Sequence, residues 1–131
     1  MDRSAAETLI RQYCQSWLAQ DRALFLSTLS PNIQVAECYG PLYWGIDEVR
    51  CWFDDWHSGP GKGKVIRWDI LTLLYDEQQN IAVVEWDFEC MYAGNLGSFL
   101  GASVVCFDET KITRIHEYKM EKAQYRLYNH R

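Results

Sequence analysis

Five side chains in this sequence have the chemistry to move a proton or hold a developing negative charge: Tyr13, Glu37, Ser103, His116 and Glu117. Glu37 is the sharpest of them. From Ile33 to Tyr39 the chain alternates, putting Ile33, Val35, Glu37 and Tyr39 on one face of a strand and Gln34, Ala36 and Cys38 on the other. A carboxylate among apolar neighbours loses hydration, and its raised pKa suits it to general acid or base work near neutral pH. A glutamate on a solvated edge strand would do none of this. Tyr13 belongs to an apolar helical stripe, where its phenol is either a core ring bonded to a carbonyl or a donor facing a cavity. The other three depend on register. If Phe107 pairs with Ile112, Ser103 sits opposite His116; a bulge between Ile112 and Ile115 would instead bring Glu117 onto the inner face.

Other chemistries find less support. His57, His116 and His130 lie far apart without ligand spacing, so no metal is expected. The five cysteines, at 14, 38, 51, 90 and 106, are odd in number and form no Cys-x-x-Cys pair, which fits reduced, mostly buried thiols. The run from Gly59 to Lys64 has the glycines and lysines of a phosphate loop. It lacks the hydroxyl residue after Gly-Lys and follows a helix rather than a strand, so it reads as a turn.

The elements that must position these groups are well marked. Ser4 and Glu7 fit a capping box for a helix running to about Ala19, with Ala6, Leu9, Ile10, Tyr13 and Trp17 as its apolar stripe. Asp21 caps a second helix, Arg22 to about Leu29, which Ser30-Pro31 stops. A third helix, Ile46 to about Ser58, carries Val49, Trp52, Phe53 and Trp56 on one side. Strands follow at Val65–Tyr75, Ile81–Tyr92, Ser98–Phe107 and Lys111–Met120, the last three as an antiparallel meander. In the first of these, Ile66, Trp68, Ile70 and Leu74 share one face. Apolar residues on both of its faces suggest helices on one side and a partner subunit on the other. In Ile81–Tyr92 one face is apolar, with Val84, Trp86, Phe88, Cys90 and Tyr92. The upstream helices are the pieces available to cover it, and a curved sheet so covered keeps a concave pocket. The tail after Met120 reads as a short helix or an added edge segment.

The totals narrow the class. A chain of 131 residues is one domain, spanning 1–131, that buries roughly two thirds of its unfolded surface. Hydrophobic residues at 48% and aromatics at 15% exclude disorder. A net charge of -5 and a pI near 5.1, without a Lys/Arg cluster, exclude nucleic acid as a partner. No apolar run approaches the roughly 20 residues of a membrane span, and the first thirty residues lack a signal peptide's basic start. A cytoplasmic location is the expectation.

Element order and short patterns together resemble a known family. Gly45-Ile46-Asp47-Glu48-Val49 with Trp52-Phe53, Val84-Glu85-Trp86, Phe107-Asp108, and Lys111-Ile112 leading to Glu117-Tyr118 resemble the NTF2-like superfamily, and within it the SnoaL-like group. The resemblance covers about residues 4 to 120. It implies an α+β fold in which a strongly bent, mostly antiparallel sheet wraps around three N-terminal helices as a cone. It also implies a largely apolar pocket and, frequently, a homodimer. Ketosteroid isomerases, polyketide cyclases, limonene epoxide hydrolases and scytalone dehydratases share that superfamily with non-catalytic binding modules. In ketosteroid isomerases a strand Asp moves the proton while a helix Tyr and a protonated Asp form the oxyanion hole. Tyr13 and Glu37 resemble the Tyr and the base, and Ser103 stands where the second acid would be. The cyclase group's Asp after the terminal Glu-Tyr pattern is Met120 here, and no Arg-x-Asp strand motif of the epoxide hydrolases occurs.

The expectation is a small homodimer, paired through the outer sheet face, whose pocket takes an apolar or aromatic small molecule. Trp17, Trp52, Trp56, Trp86 and Phe88 are the expected walls. Cofactor-free acid/base chemistry beside a carbonyl would use Glu37 as base, with Tyr13 and Ser103 holding the oxyanion and His116 and Glu117 as further polar contacts. The alternative is a binding or dimerisation module without turnover.

Overall fold

The computed structural model describes residues 1–129. Three helices, α1 (Arg3–Ala19), α2 (Arg22–Ser27) and α3 (Gly45–Ser58), pack on one face of a six-stranded sheet. The strands are β1 (Leu29–Ala36), β2 (Leu42–Trp44), β3 (Lys64–Asp76), β4 (Ile81–Tyr92), β5 (Asn95–Phe107) and β6 (Ile112–Met120), in the spatial order β2-β1-β6-β5-β4-β3. Every pairing is antiparallel except β1 with β6. The fold is α+β, with the long strands bent around the helices. Among the described residues no helix is long and apolar enough to cross a membrane, and all five cysteines are free.

The helix starts follow from local carboxylates. Asp2, not Ser4, caps α1: its Oδ1 accepts the Ala5 amide at 2.8 Å, satisfying one of the orphan donors of the first turn. Ser4 already lies inside the helix, where its carbonyl accepts the Thr8 hydroxyl. Glu7, free of a capping duty, bridges Arg3 and Arg11 one turn to either side. Asp21 caps α2 as expected, through the Leu24 amide. That helix ends two residues early because Leu29 is taken into β1, where it pairs with Ile112.

Irregularities in two strands set which side chains face inward. Ile112 and Ile115 are both buried although three residues apart, and a period-two strand does this only by gaining a residue. The ladder shifts accordingly: Phe107 pairs with Ile112 but Cys106 with Arg114, leaving Thr113 as the extra residue. In β3 the shifts fall between Val65 and Arg67 and between Ile70 and Thr72. Trp68 and Ile70 therefore pack inward as expected, but the inward members beyond them are Leu73 and Tyr75. Leu74, expected on their face, is 63% exposed on the other side. Between β4 and β5 the turn is two residues, Ala93 and Gly94, both at positive φ (52° and 79°), the geometry that matches hairpin twist. The expected longer loop is absent, and β5 begins at Asn95. Residues 121–129 form neither a helix nor a strand; the end of that tail, 130–131 with His130, lies outside the described residues.

The core lies between sheet and helices and is largely aromatic. Phe25 stacks on Phe53 at 4.5 Å between centroids, and Trp17 meets Phe25 and Phe53 edge-on. On the sheet side, Trp86 lies across the cross-strand partner Gly101, where any Cβ would overlap the far edge of the indole. Its Nε1 donates to Ser103 Oγ at 2.9 Å, which pins the ring. Gly101→Val is expected to lower stability by about 1–3 kcal/mol, the usual cost of overpacking. The shift of the urea midpoint checks this, with a change in Trp emission as the ring is displaced; an unmoved midpoint would show that the ring is not confined.

Candidate functional site

The concavity is not filled. Between α1, α3 and the inner sheet face lies a cavity of about 870 Å³, within the size range of small-molecule sites. All five side chains expected as walls line it: Trp17 from α1, Trp52 and Trp56 from α3, Trp86 and Phe88 from β4. Trp68 and Phe99 complete the sheet side, and Tyr39, Tyr43 and Tyr92 stand nearer the rim. The rings brace one another. Trp17 and Trp52 lie 4.7 Å apart, Tyr43 stacks on Trp52 at 4.7 Å and 14°, and Trp68 meets Trp86 edge-on at 5.7 Å.

Two carboxyl groups share the polar end. The last paired rung of β1 and β6 joins Ala36 to His116, so Glu37, the first residue beyond β1, follows it beside Glu117 of β6. Both line the cavity. The extra residue at Thr113 is what turns Glu117 inward: counting back, Val105 pairs with the buried Ile115 and Ser103 with Glu117. Glu37 Oε1 accepts a 2.6 Å hydrogen bond from the Tyr43 hydroxyl. Burial raises the Glu37 pKa, and the Tyr43 hydroxyl opposes that by stabilising the anion. Glu117 is pushed up to about 8, first by burial and then by the Glu37 charge, against the lowering effect of the Cys38 main-chain amide. Its side chain keeps some surface open to the cavity, but protein encloses it on the other sides. The two behave as a coupled pair: Glu37 is the member whose anion is supported, and Glu117 is the one that holds a proton through neutral pH.

The remaining expected residues are placed differently. Tyr13 is buried behind Trp68, 5.9 Å between centroids, and does not line the cavity. Burial holds the pKa of its hydroxyl well above the usual range, against a lowering contribution from the neighbouring Trp17 indole N–H. Ser103 is on the inner face, but its oxygen is occupied by the Trp86 indole and does not reach the cavity. His116 points to the outer face, where Arg114 Nε lies 2.9 Å from its Nε2. Burial and that guanidinium lower its pKa. No group of three or more His, Cys, Asp or Glu capable of holding a metal occurs among the described residues.

Tyr43 has no forerunner in the sequence reading. It sits in β2, a three-residue strand between Gly40-Pro41 and Gly45, too short for alternation to show. The rings of Trp17, Trp52 and Trp68 all line the cavity, but their indole N–H groups have no surface open to it: that of Trp17 faces the Tyr13 hydroxyl, and those of Trp52 and Trp68 have no partner among the described residues.

Comparison with known proteins supports the fold. No family model matches the chain, and neither does any curated protein. Solved structures do. A protein of unknown function with a cystatin-like fold from Methylobium petroleophilum PM1 is 21% identical, covering 96% of this chain and 84% of its own, with a TM-score of 0.72. An LEH-like epoxide hydrolase from M. tuberculosis is 12% identical over 89% of this chain and 84% of its own, with a TM-score of 0.77. A hypothetical protein with a ketosteroid isomerase-like fold from Catenulispora acidiphila DSM 44928, in complex with trimethylamine, is 10% identical over 88% and 86%, with a TM-score of 0.72. The chain thus has the NTF2-like α+β cone that its sequence resembles.

The carboxyl pair has a thermodynamic signature. Between the ordinary value of 4.5 and about 8, native Glu117 holds a proton that the unfolded chain releases, so this residue makes stability fall as pH rises through that window. The slope from one proton is at most about 1.4 kcal/mol per pH unit. Glu117→Gln should remove this component, flattening the urea midpoint between pH 5 and pH 8 relative to the wild type. Parallel profiles for the two proteins would place Glu117 in solvent.

Proposed function

We propose that the cavity takes a small molecule with an apolar or aromatic body and that Glu37 and Glu117 move a proton on it next to a carbonyl. The observation that carries this reading is the pair of adjacent carboxyl groups in an aromatic cavity: burial raises both, but the Tyr43 hydroxyl supports the Glu37 anion while Glu117 holds its proton to about pH 8. That is the division of labour a base and an acid need at the same pH. Glu37 takes a proton from the carbon beside the carbonyl, and the Glu117 O–H donates to the oxygen as charge develops there. Return of the proton to another carbon isomerises the substrate; attack of the enol on a second carbonyl closes a ring; loss of a β-hydroxyl dehydrates it. The oxyanion role passes from Tyr13 and Ser103, neither of which lines the cavity, to Glu117.

A second reading is binding without turnover. It is favoured by the engagement of Ser103 with Trp86 and by the position of Tyr13 behind Trp68, which leave the ketosteroid isomerase arrangement incomplete. A homodimer through the outer sheet face is part of the proposal: Leu74, Val83, Tyr118 and Met120 are exposed there, and a second copy would cover them. Cytoplasmic placement fits the five free thiols.

Deuterium exchange at the carbon beside the carbonyl separates the two readings without a known substrate. With a panel of aryl and alicyclic ketones in D2O, the wild type should accelerate exchange for those that quench its Trp emission. Glu37→Gln should lower that rate by about 10²–10⁴-fold with binding retained. Ketones that bind and do not exchange faster than in buffer would leave the binding reading.

A further inference from the structure

The lining of the cavity has a second chemical character besides its aromaticity. Five carboxyl groups border it, Glu37, Asp47, Glu48, Asp55 and Glu117, and no Lys, Arg or His does. Two of the five are locally engaged: Asp47 pairs with Arg50, and Glu48 accepts the Trp44 amide at the start of α3. Glu37 and Asp55 form no ion pair with any cation among the described residues, whereas Glu117, holding its proton at neutral pH, adds no charge. A cavity for a neutral hydrocarbon gains nothing from uncompensated acids. Desolvating them costs free energy, and their field repels any anionic occupant. Aromatic faces beside carboxylates are instead the arrangement that recognises an organic cation, because the ring quadrupole and the carboxylate attract the same charge.

The rim already shows that attraction. Lys119 reaches it from β6, and its Nζ lies 5.3 Å from the centroid of Tyr39 and 5.6 Å from that of Phe99, two rings that line the cavity. One cation of the chain thus rests on the outer rings. Deeper in, Trp17, Trp52, Trp56, Trp68 and Trp86 offer indoles, the best of the aromatic faces for a cation.

We propose that the molecule this cavity takes carries a cationic nitrogen, a protonated amine or quaternary ammonium, on its apolar or aromatic body. The inference rests on the reading of the cavity as a small-molecule site and names the class of molecule within it. Asp55, exposed on α3 at the cavity's edge and adjacent in sequence to Trp56, provides a counter-charge for the nitrogen. The carbonyl end is left to Glu37 and Glu117.

The test compares isosteres that differ only in charge. Choline against 3,3-dimethylbutan-1-ol, and phenyltrimethylammonium against tert-butylbenzene, are titrated into the full chain and followed by Trp emission. About 0.15 M salt screens long-range attraction to the net negative charge. The cationic member of each pair should bind at least about tenfold tighter, as two or more ring contacts together would give. Asp55→Asn should reduce that preference about three- to tenfold while leaving the neutral member unchanged. Lys119→Gln, which removes the resident cation from the rim, should strengthen binding of the cation or leave it equal. Equal affinity of both members for the wild type, within twofold, overturns the inference, and so does a preference that Lys119→Gln weakens. The ketone exchange experiment reads the other level: exchange without cation preference sinks this inference and keeps the proposed function. Cation preference without exchange keeps the ligand class and removes the turnover.

Discussion

One inserted residue governs the polar end of this molecule. A strand that buries both Ile112 and Ile115 must gain a position between them, and the ladder absorbs it at Thr113. Everything C-terminal to that point changes face. Without the insertion Arg114 and His116 would look into the concavity with Ile112, and Glu117 would lie outside with Ile115. With it, a carboxyl group stands next to Glu37 and the imidazole is sent to the outer surface. A packing requirement of two isoleucines, far down the strand, thereby selects which acid meets the cavity.

The aromatic side chains perform two tasks that counting cannot separate. Phe25, Phe53 and the buried side of Trp17 close the interior between helices, whereas Trp52, Trp56, Trp68 and Trp86 stop short of meeting in the middle. The difference lies in what stands behind each ring. Trp86 is laid flat over Gly101 and tied to Ser103, so it cannot swing across the hollow. Trp52 is held between Tyr43 and Trp17. That bond uses a lone pair of Ser103 and leaves its O–H free, so what keeps this hydroxyl from the cavity is its position beneath Trp86 and not the bond itself.

Much of this was legible before any coordinates. Alternation is a local property, and it places Ile33 and Val35 inward and the apolar face of β4 toward the helices; the expected strand Ile33–Tyr39 instead ends at Ala36, so Glu37 and Tyr39 reach the cavity from the connection to β2. The meander and the third helix follow from the same periodicities. Where the sequence reading stopped, the deciding interaction was between distant parts of the chain. The register of β6 depends on which isoleucines find the core. The Leu73/Leu74 exchange in β3 comes from a bulge against β4. Tyr43 is visible only once a three-residue strand has paired with β1, and the depth of Tyr13 is set by Trp68, more than fifty residues later. The Ser4 cap was a fair pattern beaten by a better acceptor two residues earlier.

The parallel contact between β1 and β6 has a kinetic meaning. Glu37 and Glu117 sit about eighty positions apart along the backbone, and they become neighbours only when the first strand docks against the last. Closing so long a loop is slow relative to forming a hairpin, and its reward arrives only once the intervening meander is in place. Nascent or clipped chains that lack only the final strand retain most of the aromatic lining and keep Glu37 without its partner Glu117. In such a chain the aromatic walls are present earlier during assembly than the carboxyl pair is.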